Sequence, residues 1–150
     1  MCTLRVSGKQ FNVDRFLATS DFQPSAIWRR GQKRWLSSNG VSDVSGFNLG
    51  VSNASWNNLQ KQIKETLRFL KKYKNEVMRL RQYPGVESLE LDFPINNRMD
   101  RKRVYSQCDY LTKELIHKAG QFPLSIEISR YPHRIKRNRS RKHSKLIKRP

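Results

Sequence analysis

The chain has 150 residues, with 31 Lys and Arg against 12 Asp and Glu, giving a formal net charge of +19. That length holds one ordinary domain, and 36% hydrophobic residues with three Trp, seven Phe and five Tyr supply a core, which excludes full disorder. No apolar run approaches the ~20 residues needed to cross a bilayer, and residues 1–9 lack the apolar segment of a secretory signal, so a cytoplasmic protein is expected.

Alternation predicts the first strand: Cys2, Leu4 and Val6 face one way, while Thr3, Arg5 and Ser7 face the other. Asn12 or Asp14 then opens a short helix carrying Val13, Phe16 and Leu17. Residues 26–29 read as a short strand, and Phe47, Leu49 and Val51 alternate with Asn48, Gly50 and Ser52 in another. The longest pattern is Trp56, Leu59, Ile63, Leu67, Leu70, Tyr73, Val77 and Leu80, an amphipathic helix with Lys61, Lys64, Arg68, Lys72 and Arg79 on its outer stripe. Ser55 or Asn53 caps its start, Pro84-Gly85 ends it, and the pattern allows a break near Tyr73, Lys74 and Asn75. Leu89, Leu91 and Phe93 alternate with Ser88, Glu90 and Asp92. A last helix over about residues 109–119 turns Leu111, Leu115 and Ile116 inward with Gly120 as its stop, and Leu124, Ile126 and Ile128 mark a final strand. Strands with one apolar face each predict an α+β fold, a mainly antiparallel sheet of four to five strands with helices packed on one face.

Charge divides the chain differently. From residue 130 onward there are ten Lys and Arg and no acid, and the only hydrophobic residues are Tyr131, Ile135, Leu146 and Ile147. Such a segment cannot bury enough apolar surface to offset the entropy of ordering. The expectation is a single domain over residues 1–132 and a basic, disordered arm over 133–150.

Several clusters invite a chemical reading. Glu90, Asp92 and Glu127 share the polar sheet face with Glu87 nearby, an arrangement able to hold a metal or activate water; a solvated face partnered by Arg5 is the favoured reading. His117 with Cys108 and Asp109 could be drawn as a nucleophile and base, but no spacing brings them together. Two cysteines without Cys-x-x-Cys spacing, and three histidines on segments of different character, argue against a metal, and no cofactor loop is present. The basic features are stronger. Trp28, Arg29, Arg30 and Trp35 suit a protein interface, where Trp and Arg are favoured anchors; core packing of Trp28 is an equal alternative, phosphate contact with base stacking a lesser one, and Arg98, Arg101, Lys102 and Arg103 add a basic loop. The arm bases Arg134, Lys136, Arg137, Arg139, Arg141, Lys142, Lys145, Lys148 and Arg149 suit phosphate contact, with little base stacking because Tyr131 is the arm's one aromatic.

A family resemblance adds to this. Leu4-Arg5-Val6-Ser7-Gly8, Phe11-Asn12-Val13-Asp14, Trp28-Arg29-Arg30-Gly31 and Ser45-Gly46-Phe47-Asn48-Leu49 occur in order. They are followed by Pro84-Gly85-Val86-Glu87, Leu115-Ile116-His117-Lys118-Ala119-Gly120 and Ile126-Glu127-Ile128-Ser129-Arg130-Tyr131-Pro132. Over roughly residues 2–132 this resembles a bacterial family of small domains of unknown function akin to the immunity proteins of polymorphic toxin systems. The resemblance implies a small α+β domain without established catalytic residues. It leaves the arm unexplained, and in place of the family's usual Ser/Pro-type start to the last helix this chain has Ser106-Gln107-Cys108-Asp109-Tyr110-Leu111. The expectation is therefore a non-catalytic domain that neutralises a toxin or docks another acidic protein partner. The alternative is a nucleic-acid-associated protein that uses its basic arm and loops.

Overall fold

The computed structural model describes residues 1–33, 40–99 and 106–132. Among these the elements are β1 (Thr3–Gly8), α1 (Val13–Leu17), β2 (Ala26–Trp28), β3 (Ser45–Gly50), α2 (Leu59–Lys72), α3 (Lys74–Gln82), β4 (Ser88–Asn96), α4 (Lys113–Gln121) and β5 (Ser125–Tyr131). They form one five-stranded sheet in the order β2-β3-β1-β4-β5. The expected α+β class, with a mostly antiparallel sheet, is what the chain adopts.

Alternation fixes which side of each strand is buried. Leu4 lies between Leu49 and Leu91, and Val6 between Phe47 and Leu89, so β1, β3 and β4 give one apolar face. Cys2, Leu4, Val6, Phe47, Leu91 and Phe93 are fully removed from solvent there. Leu59, Ile63 and Leu70 of α2, Val77 and Leu80 of α3, and Leu115 and Ala119 of α4 cover it. At the β2–β3 side the core becomes aromatic: Phe16 stacks on Phe47 at 6.1 Å and meets Tyr83 edge-on at 5.1 Å, a favoured geometry for ring pairs. Arg79, expected on the outer stripe, instead lays its guanidinium over the Phe16 ring at 4.7 Å. Burial pushes the Cys2 thiol up to about 12, so it stays protonated and inert, whereas Cys108 is exposed.

Within the mostly antiparallel sheet β4 and β5 run parallel, which requires a crossover, and α4 lies within it. Expectations for two of the helices are corrected. The long helical pattern starts at Leu59, capped by Asn58, whose side chain accepts from the Lys61 N–H at 2.9 Å; Ser55 and Asn53 stand outside it. Trp56 is consequently not in the helix and remains 39% exposed. In α4, capped by Thr112, Ile116 faces solvent and Gly120 lies inside the helix rather than ending it. The break at Tyr73 is present, with φ −102° and ψ 27° between α2 and α3. Asn12 caps α1 by accepting from the Arg15 N–H.

Among the described residues the opposite sheet face carries no helix. Thr3, Arg5, Asn48, Glu90, Asp92, Glu127 and Ser129 lie on it by strand register. No described helix is long and apolar enough to cross a membrane.

Candidate functional site

The expected partner-binding residues that the structure describes, Trp28, Arg29, Arg30 and Arg98, fall at opposite corners of the sheet. Trp28 pairs in register with Gly46, which pairs with Ser7, which pairs with Ser88 at the start of β4. Arg98 follows Asn96 at the far end of β4. Three strand spacings of ~4.8 Å and about eight residues at ~3.3 Å therefore separate the two groups by roughly 30 Å. Trp35 and the loop bases Arg101, Lys102 and Arg103 lie outside the described residues, as do all nine arm bases beyond residue 132.

At the first corner Trp28 is half-buried on the helix-free sheet face. Its indole lies across Gly46, where a Cβ would come within 2.6 Å of the ring. Arg29 is held by Asp14 through two bonds, Nε to Oδ2 at 2.8 Å and Nη2 to Oδ1 at 2.5 Å. This contact with Arg29 lowers the Asp14 carboxyl from its ordinary value and raises the guanidinium. Arg29, Arg30 and Lys9 line a shallow hollow of about 310 Å³ together with Asn12, Asp14 and Ser45. The Arg30 N–H donates to Ser45 Oγ at 3.1 Å, fixing the turn from which its side chain projects.

At the second corner Arg98 donates to Asp109 at 2.8 Å, and Gln107 reaches both Asp109 and the Arg98 backbone. The segment before α2 closes over this end of the sheet. The Asn96 N–H donates to the Trp56 carbonyl at 3.3 Å, and the Trp56 ring stacks on Tyr131 with centroids 4.7 Å apart. Glu65 anchors the same segment by accepting from Ser52 Oγ at 2.7 Å, from the Asn53 N–H at 2.9 Å and from the Ala54 N–H at 3.2 Å. The Ser52 bond, chiefly, lowers its carboxyl from the ordinary 4.5. A carboxyl depressed in the fold adds stability above the unfolded value and loses it as pH falls through the folded one. Glu65→Gln is therefore expected to melt lower than wild type at neutral pH and to converge with it progressively as the pH is taken below the ordinary 4.5 in thermal melts. A constant difference down the whole pH series would contradict that account.

The acidic trio is organised as a structural network. Arg5 donates to Asp92 Oδ2 at 2.5 Å and to Glu127 Oε2 at 2.9 Å, and Ser129 Oγ donates to Asp92 Oδ1 at 2.7 Å. Glu90 meets Ser88 Oγ at 2.6 Å. The other drawn constellation is apart: His117 Nε2 meets the Gln121 amide, while Asp109 is engaged by Arg98 and Gln107. Among the described residues no group of three or more His, Cys, Asp or Glu could hold a metal ion. Two features escaped the sequence reading. The Trp56–Tyr131 stack joins residues far apart in the chain, and Glu65 reaches from α2 back to Ser52, Asn53 and Ala54.

Comparison with known proteins gives a family and no closer relative. Neither a curated protein nor a solved structure matches the chain. Residues 1–133 match the family described as a domain of unknown function, DUF4279, and residues 134–150 lie outside the match. With most of its length covered, the chain belongs to the DUF4279 family.

Proposed function

We propose that the chain is a non-catalytic binding domain that docks an acidic protein partner, in the manner of an immunity protein that neutralises a toxin. The observation that carries this reading is the first corner. A half-buried tryptophan stands on the sheet face that no described helix covers, beside a hollow lined by Lys9, Arg29 and Arg30. Trp and Arg are the residue types that most often anchor interfaces, the one by desolvated area and the other by forked bonds to carboxylates. Because Asp14 holds Arg29 in place, less side-chain entropy is lost when a partner arrives. The net charge of +19 favours an acidic partner and accelerates its approach. A cytoplasmic setting fits the unpaired thiols of Cys2 and Cys108.

The test pairs the full chain with the product of the neighbouring reading frame, by calorimetric titration and by growth protection on co-expression. Wild type should bind and protect, while Trp28→Ala combined with Arg30→Glu should weaken binding at least about a hundredfold, as expected for losing two anchors. A complex of undiminished affinity in that variant would exclude this corner. Binding without protection would remove the immunity reading and leave a docking domain. The basic loop and arm support a second reading as a nucleic-acid-associated protein, and the second corner is the observation that favours it.

A further inference from the structure

We propose that the outer face of α2 is a contact surface for the phosphate backbone of a nucleic-acid duplex. At about 100° per residue, Lys61, Lys64, Arg68, Lys71 and Lys72 fall within an arc of roughly 100°. That arc lies opposite the buried Leu59, Ile63, Thr66 and Leu70, and all five bases are exposed. They span about 16 Å of helix axis, or one positive charge every ~4 Å, close to the ~3.4 Å per phosphate along one duplex strand. The acids of α2 and α3 do not dilute this face. Glu65 turns aside to Ser52, Asn53 and Ala54, and Glu76 to Ser20 and Arg79. Lys61 comes no closer than 4.0 Å to Glu65. Among the described residues no carboxylate pairs with Lys64, Arg68, Lys71 or Lys72.

A solvated helix needs no such face. Lys64 with Arg68, and Arg68 with Lys72, are like charges one turn apart, which repel where a glutamate would attract. A bound polyanion removes that repulsion. The surroundings favour one kind of polyanion. Protein interfaces are depleted in lysine and built around an apolar core, but no exposed large hydrophobic residue lies on α2. Phe69 and Tyr73 pack against the core, so the face offers no free ring to unpaired bases. An interfacial helix inserts its apolar side into lipid, whereas that side of α2 covers the sheet. Charge alone remains, which suits the regular phosphates of a duplex and reads no sequence. The surface rests on the nucleic-acid reading and gives it a site apart from the loop and the arm. It lies across the sheet from the face bearing Trp28, so it and the docking corner stand or fall on different variants.

The test is fluorescence anisotropy of the full chain with a labelled DNA duplex across a salt series. Competitors are a single strand of equal length, polyglutamate and phosphatidylserine vesicles. The duplex should bind tightest and without sequence preference. Changing Lys61, Lys64, Arg68, Lys71 and Lys72 together to Gln keeps good helix formers on the face. That variant should bind at least about a hundredfold more weakly at about 0.1 M salt, with the salt slope lowered by about 3 to 4. Changing the four lysines to Arg instead keeps the charge and should keep both affinity and slope. Changing Arg134, Lys136, Arg137, Arg139 and Arg141 to Gln removes the same charge elsewhere and should cost far less. If the helix variant binds as wild type does, or the arm variant loses as much, the surface is overturned while the nucleic-acid reading stands. Absence of duplex binding by wild type removes both. Competition by vesicles, polyglutamate or the single strand as strong as by unlabelled duplex also overturns the surface.

Discussion

Gly85→Ala is expected to cost about 3 kcal/mol or more, because two separate penalties fall on one position. Gly85 has φ +84°, in the left-handed region, and an added Cβ would lie 2.4 Å from the carbonyl carbon and oxygen of Gln10 and 2.6 Å from the Phe11 nitrogen. Those neighbours are backbone and cannot rotate aside. The turn they form brings α3 into β4, where the Glu87 N–H donates to the Ser7 carbonyl at 2.9 Å, and it seats Phe11 against Tyr83 at 5.8 Å. Moving Gln10 would disturb the strand end and the aromatic cluster together. Gly31 provides the control, since it has the same φ but, among the described residues, nothing within 4 Å of an added Cβ. Its alanine variant should lose only the backbone penalty of about 1–2 kcal/mol. Denaturant midpoints measure both, and equal shifts would show that the close approach to Gln10 is immaterial.

What was legible in the sequence follows from range. Period-two alternation in β1 and β4 identified the buried Leu4, Val6, Leu89, Leu91 and Phe93 because a strand's own sequence states which side is apolar. Asn12 and the break at Tyr73 are likewise local chemistry. Strand order is not. Nothing in the sequence places β5 parallel to β4, or sends Trp28 and Arg98 to opposite corners, because both depend on which strands become neighbours. Trp56 was misplaced for a related reason. Its three-residue step to Leu59 fits the helical period, and only the Asn58 cap, competing with Ser55 and Asn53, decides where the helix begins. Arg5 was the exception among long-range contacts. It sits on the same polar face as Asp92 and Glu127, and in a face with three acids a single arginine has few other places to go.

That arginine is the second position where a large effect is expected. Arg5→Ala should destabilise by about 3 kcal/mol, because it leaves a buried carboxylate without its positive partner. Asp92 is 3% exposed and keeps, among the described residues, only the Ser129 hydroxyl, with the Glu127 carboxylate also sharing that hydroxyl at 3.3 Å. The reverse deletion is milder. Asp92→Asn preserves the side-chain shape and can still accept from Ser129, while Arg5, 36% exposed, retains Glu127 and water, so about 1 kcal/mol is expected. The asymmetry is the informative part: a buried charge stripped of its partner costs more than an exposed charge stripped of its own. Combining the two changes should therefore be less harmful than Arg5→Ala alone, since the asparagine removes the uncompensated charge. Urea denaturation of the two single variants and the double measures the order. If Asp92→Asn proves as damaging as Arg5→Ala, or the double variant is simply additive, the network is not built around a buried Asp92 carboxylate. The helix-free face would then owe its stability to strand pairing alone.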